Sequence, residues 1–235
     1  MALLDLGRVC AAVLALIVSL SALAGTDEVL LADGWRDVLF DNKTPNRFEA
    51  FDEGGIAVIS EQSVSLLQKP LAVDLDNTPV LAWRWRVTEA APATDLGVKG
   101  EDDRSLALYV AFPFQPEEAS VFERMRHAFF ENMTGEETPG RVLVYIWGGI
   151  GARGDRVPSP YLGEAGIMTI LRPADTPLGS WFDEAIDIAE DYRTTFGSQP
   201  PAPVSLAIGA DTDDTRSTAR ALVTDIAFIP RSQAF

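Results

Sequence analysis

Cysteine and histidine occur once each in the 235 residues of this chain, and both scarcities exclude chemistry. Cys10 lies in an N-terminal stretch that reads as a removable leader, so the rest of the chain has no thiol. That excludes disulfides, a Cys nucleophile and a thiolate metal site, and the fold must rest on core packing. His127 would have to serve any Ser–His–Asp triad, yet no G-x-S-x-G elbow is there to present a nucleophile. A histidine-based zinc site lacks a second imidazole, so His127 is expected to be structural. Positive charge is also short: 19 Lys and Arg face 35 Asp and Glu, a net charge of −16. Such a surface repels nucleic acid and anionic lipid; divalent cations and neutral or cationic ligands remain compatible with it. No period of roughly 20–50 residues recurs, which excludes a repeat array, and no long Pro/Ser/Gly linker divides the chain.

The first 24 residues carry one positive charge, Arg8, then an apolar run from Val9 to Leu20, then Ser21-Ala22-Leu23-Ala24. Charged, apolar and small regions in that order define a secretory signal peptide, here cut before Gly25. The run is shorter than the ~20 apolar residues of a membrane span. No Cys follows Ala24 to take a lipid. The expected protein is periplasmic or secreted, with residues 25–235 forming one domain and no stable membrane insertion after cleavage; an uncleaved anchor is the alternative.

Short apolar stretches bounded by turn residues dominate the chain beyond Gly25, the pattern of a mainly β protein. Val80–Val87 alternates most clearly, with Leu81, Trp83, Trp85 and Val87 on one face and Ala82, Arg84 and Arg86 on the other. Burying each Trp is worth on the order of 4–6 kcal/mol at ~25 cal/mol/Å², so Trp83 and Trp85 should centre the core. Ser105–Phe112 alternates as well, while Val142–Trp147 is apolar on both faces and predicts a central strand. Further strands are predicted at Arg47–Phe51, Ile56–Ser60, Val64–Lys69, Ile167–Leu171, Trp181–Asp187, Val204–Ala210 and Arg220–Ile229. Helices are predicted over Pro116–Glu131 and Ala189–Phe196, the second stopped by Gly197. About ten strands with one or two inserted helices predict a two-sheet antiparallel β-sandwich of jelly-roll type.

Several motifs lie along this frame: Pro79-x-Leu81-x-Trp83-Arg84-Trp85-Arg86-Val87, Glu101-Asp102-Asp103, Tyr145-x-Trp147, Trp181-x-x-Glu184-x-x-Asp187, Asp191-Tyr192-Arg193 with Phe196-Gly197, Asp211-Thr212-Asp213-Asp214-Thr215, and Asp225-Ile226-x-Phe228. Together, from about Trp35 to Phe228, they resemble the domain of unknown function 3047 family of exported bacterial proteins. Glu101 stands where that family usually has Gly, and Asp214 where it has Asn. The resemblance implies export and a sandwich similar to galactose-binding or carbohydrate-binding jelly rolls; a fold alone does not fix function.

Three site types can be read from the residues. Arg84, Arg86, Tyr109 and Trp147 are predicted to form a ligand face, since aromatic platforms stack on sugars and Arg hydrogen-bonds hydroxyls or carboxylates. For Tyr145 and Trp147 a second packed layer under the Pro116–Glu131 helix competes with that reading. Asp211 and Asp213, with Asp225 on the last strand, are candidate ligands for a structural calcium, a cation that favours clustered hard oxygens. Asp side chains capping their own turns would explain the same residues without a metal. Acid pairs such as Glu184 with Asp187, or Asp102 with Asp103, admit a glycosidase or lyase. Gly149-Ile150-Gly151-Ala152-Arg153-Gly154 fits a dinucleotide motif, but Asp155–Pro160 cannot start the helix that motif needs. The expectation is a non-catalytic exported module binding a saccharide or envelope polymer, with protein–protein scaffolding as the alternative.

Overall fold

Period-2 apolar rows need a partner sheet to bury them. The computed structural model, which describes residues 25–51, 54–117 and 140–234, supplies two. In chain order its strands are β1 (Arg36–Val38), β2 (Arg47–Phe51), β3 (Gly55–Glu61), β4 (Val64–Pro70), β5 (Val80–Glu89), β6 (Arg104–Phe112), β7 (Arg141–Trp147), β8 (Arg156–Ser159), β9 (Gly163–Arg172), β10 (Phe182–Asp187), β11 (Ser205–Asp211) and β12 (Thr218–Ile229). One sheet runs β1-β4-β11-β6-β7-β9-β8 and the other β10-β5-β12-β3-β2. All these pairings are antiparallel except β7 with β9. The protein is a mainly β, two-sheet sandwich of jelly-roll type.

Among the described residues two α-helices flank the sheets: α1 (Glu28–Ala32) and α2 (Ile188–Phe196). Asp187 caps α2 by accepting from the Glu190 N–H, and Gly197, at φ +73°, closes it in the left-handed conformation. The ten predicted strands are all present, with shifted ends. Alternation did not announce β1, β8 and α1, which are short and largely exposed. The helix predicted over Pro116–Glu131 runs into residues outside the described ones, as do His127 and the leader 1–24. No helix among the described residues is long and apolar enough to cross a membrane.

The core lies between the sheets. Leu81, Trp83, Trp85 and Val87 of β5 meet Leu106, Leu108, Val110 and Phe112 of β6 and Leu143, Tyr145 and Trp147 of β7. Trp85 stands edge-on to Trp83 (5.4 Å, 87°) and to Trp147 (5.6 Å, 73°). A second apolar cluster covers the outer face of the seven-stranded sheet: Ala107, Val142, Val144, Ile146, Met168 and Ile170 under Leu96. β7 is therefore buried on both faces, as its continuous apolar run predicted.

The chain crosses from one sheet to the other at Gln62-Ser63, between β3 and β4. Buried polar side chains hold that corner. Ser63 Oγ donates to Asn46 Oδ1 (2.7 Å), and Asn46 Nδ2 donates to the carbonyls of Ser65 (2.9 Å) and Ala210 (2.8 Å). The Ser60 and Thr212 hydroxyls meet at 2.8 Å. Together these bonds tie β11, and the turn after it, to the crossover, and a satisfied buried network fixes one arrangement.

Candidate functional site

The outer face of the five-stranded sheet carries one group of charged side chains. Register places Arg84 of β5 between Asp183 of β10 and Thr224 of β12. Arg84 Nε lies 2.7 Å from Asp183 Oδ1, and its Nη1 lies 3.8 Å from Asp225 Oδ2. Asp225 stands at a bulge in β12 with φ +55°, which turns its side chain to this face. Nearby, Arg220 pairs with Glu61 (2.6 Å) and Glu89 (3.1 Å), and Arg47 with Glu49 (2.8 Å). Arg86 differs. Its guanidinium sits 4.8 Å from the centre of the Trp181 ring, with Arg84 at 5.5 Å from the same ring. Arg86 has no ion-pair partner among the described residues, and its Nε is buried without a hydrogen bond.

The expected ligand face is divided by this geometry. Arg84 and Arg86 come together, and Trp181 joins them. Tyr109 is on the outer face of the other sheet, where its hydroxyl accepts from Arg104 Nε (3.1 Å) and Nη2 (2.9 Å). Burial raises the Tyr109 hydroxyl above the ordinary tyrosine value, against the opposing charge of Arg104. Trp147 is fully buried between the sheets, edge-on to Trp85 and to Phe182 (5.4 Å). It cannot stack on a ligand from there; it packs in the core between the sheets, while the Pro116–Glu131 helix of the packed-layer alternative runs outside the described residues. A strand buried on both faces carries no alternation to tell inner from outer. Trp181 was legible only as the start of a strand and of the Trp181-x-x-Glu184 motif.

The second group gathers carboxylates from the start of β6 and the turn after β11. Asp103 is wholly buried and accepts from Thr215 N–H (2.8 Å), Thr215 Oγ1 (2.5 Å) and Asp214 N–H (3.4 Å). Asp103, Asp213 and Asp214 each present one oxygen, all within 4.8 Å of one another. Two cations serve this region. Arg104 Nη1 lies 3.2 Å from Asp102 and 3.4 Å from Asp211, and Lys43 forms an ion pair with Asp213. Tyr161 OH lies 3.3 Å from Asp102 Oδ1, and Lys99 lies 5.1 Å from its ring. Burial, then the charge of Asp102, pushes the Tyr161 hydroxyl up to about 12.

Asp211 and Asp213 titrate as a pair. Burial pushes Asp211 up to about 8 despite Arg104, with the neighbouring Asp213 adding to the rise. Burial would raise Asp213 too, but its bonds with Asp211 and Lys43 outweigh that and hold it low. The calcium set read from sequence is thus partly assembled. Asp211 and Asp213 are neighbours, joined by Asp103 and Asp214, whereas Asp225 lies on the five-stranded sheet beside Arg84.

Of the acid pairs, Glu184 points inward and Asp187 caps α2, so the two do not face each other. Glu184 accepts from Arg172 Nε (2.6 Å), Arg153 Nη2 (2.7 Å) and Trp85 Nε1 (3.2 Å). Arg153 belongs to the glycine-rich loop Gly149–Gly154, whose observed service is this internal ion pair.

The fold and its two charged surfaces define a β-sandwich with a platform of arginine on indole and, apart from it, a carboxylate cluster. The chain belongs to the family described as "Protein of unknown function (DUF3047)", whose model matches residues 33–227. Among solved structures it is similar to the xyloglucanase domain of NopAA, a type three effector from Sinorhizobium fredii, in complex with cellobiose. The identity is 9%, the TM-score 0.47, and the match covers 85% of this chain and 95% of that one. No curated protein matches.

Proposed function

We propose that this protein is an exported, non-catalytic binding module that takes a neutral saccharide chain on the outer face of its five-stranded sheet. One observation carries the reading: Arg86 lies over the Trp181 indole with no carboxylate partner among the described residues, while Arg84, Arg220 and Arg47 on the same sheet are paired. An arginine held on an aromatic ring offers fixed donors beside an apolar surface, the two features a sugar ring engages through its hydroxyls and its C–H face. Asp183 and Asp225 add acceptors alongside. The net charge of −16 disfavours a polyanionic chain. Export rests on Arg8, the Val9–Leu20 run and Ala22-Leu23-Ala24.

The test uses the protein made by a bacterial host, with its N-terminus sequenced first. A start at Gly25 supports export, and an intact Met1 overturns it. Affinity electrophoresis through neutral and uronate polysaccharides then reads binding. Retention by a neutral glycan, reduced at least about tenfold in Arg86→Ala or Trp181→Ala and unchanged in Arg47→Ala, is expected; losing one anchoring aromatic or Arg costs ~2 kcal/mol or more at a binding site. No retention, or retention indifferent to the Arg86→Ala/Trp181→Ala double variant, overturns the site.

A further inference from the structure

We infer that the Arg86–Trp181 platform is one end of a track for a straight, equatorially linked glycan laid across the strands, an inference that rests on the saccharide reading above. Register draws a single row over four strands of the outer face. Trp181, just before β10, stands beside Arg86 of β5; Arg86 lies opposite Leu222 of β12, and Leu222 opposite Ala57 of β3. Leu222 and Ala57 are half-buried, while their chain neighbours Ala221, Val223, Ile56 and Val58 are buried in the core. The row ends at β2, where Glu49 stands opposite Ala57 and is paired with Arg47. Strands lie ~4.8 Å apart, so the row from Trp181 to Ala57 spans about 14 Å.

Ion pairs border this row on both sides. Arg84 is held by Asp183 and Asp225 on one side, and Arg220 by Glu61 and Glu89 on the other. Arg220 and Thr224 flank Leu222 on β12, which sets the two borders about 13 Å apart along the strand, room for one sugar chain. The bordering side chains are all well exposed, so the strip between them opens to solvent. The row itself offers an indole, two aliphatic side chains and one guanidinium without an ion-pair partner among the described residues. Indole and aliphatic carbon suit the C–H faces of sugar rings, while Arg86 and the bordering carboxylates reach hydroxyls at the ring edges. The strand spacing is close to the repeat of a pyranose along a straight chain, so successive rings fall over successive strands. Equatorial linkages keep a chain straight enough for that; an axial linkage at each step coils it off the sheet.

Titration calorimetry of the whole protein with β-1,4-linked glucose oligomers, monomer to hexamer, reads the length of the track. Affinity should rise at least about tenfold from dimer to tetramer and then level, because the row has no further contacts to give. The α-1,4-linked tetramer, which coils, should bind at least about tenfold more weakly than the β-1,4-linked one. Ala57→Arg sets a long cation into the far end of the row and should erase the gain from dimer to tetramer. Leu222→Ser, a smaller change at the middle, should weaken the tetramer about tenfold. Both positions are on the solvent side of the sheet, and thermal unfolding checks that each variant is folded. Equal affinity at every length, with binding still lost in the Arg86→Ala/Trp181→Ala double variant, overturns the track and leaves the platform standing. Equal binding of the two tetramers overturns the straight chain, and a tetramer indifferent to both Ala57→Arg and Leu222→Ser overturns the row. No heat with any β-1,4-linked oligomer overturns the inference whatever polysaccharide is retained. Oligomer binding indifferent to the Arg86→Ala/Trp181→Ala double variant overturns the platform along with it.

Discussion

Arg172 lies 4.1 Å from the Phe182 ring and donates a hydrogen bond from Nε to Glu184, which also holds Arg153 and the Trp85 indole. Removing that carboxylate strands two guanidinium groups at the edge of the core. A fully enclosed pair broken on one side costs ~3–5 kcal/mol, and half-exposed Arg153 can turn to water, so Glu184→Gln should cost about 2–3 kcal/mol. Trp147→Phe is the informative contrast. Its indole N–H is buried without an acceptor, so the change removes ring volume and no hydrogen bond and should cost less. Urea unfolding of both variants checks the order; equal losses would contradict the role given to Glu184. Parity along β10 was enough to place Glu184 opposite Asp183 and Asp187, but its two arginines come from the β7–β8 loop and the end of β9. No local spacing marks such a meeting.

At the scale of strands, what was readable is what alternates. β5 and β6 displayed their inward rows plainly, and the structure buries those rows. β7 carries apolar residues on both faces and gave no parity signal, which is why Trp147 was assigned to a ligand face as well as to a packed layer. Arg86 and Tyr109 both lie opposite the core rows of their strands, as parity said. That they face away from each other comes from sheet membership, which depends on long-range pairing. Asp211, Asp213 and Asp103 were visible as loop acids at two strand ends, and only the antiparallel β6–β11 pairing makes the ends neighbours. On its other side β11 pairs with β4, and that close approach depends on Gly209. A Cβ there would stand 2.5 Å from Leu66 Cδ2 and 2.7 Å from the Ser65 carbonyl on β4. Backbone cannot yield as a side chain can, so Gly209→Ala should destabilise by ~1–3 kcal/mol in thermal unfolding. An unchanged Tm would mean β4 and β11 are further apart than described.

Over the whole molecule the charge of −16 opposes compaction. Surface ion pairs such as Arg220–Glu61 offset little of it, since exposed pairs contribute ~0–1 kcal/mol. Screening should therefore stabilise the fold. With calcium excluded by a chelator, Tm should climb as sodium chloride rises from low ionic strength and level off near ~0.1 M, where the Debye length is ~10 Å. A fall in Tm over that range would show that attraction between surface charges outweighs repulsion. The two-layer architecture was readable from the sequence because short alternating strands without cysteine leave few other ways to enclose side chains such as Trp83 and Trp85. The strand order was not.

That order has a consequence for how the chain becomes a protein. Among the described strands, the two latest in chain order are interior: β11 between β4 and β6, and β12 between β5 and β3. Until the C-terminal strands emerge, each layer has a gap at its middle rather than a loose end, and no earlier fragment can close it. Such an order keeps the nascent polypeptide open and threadable until β11 and β12 have been made.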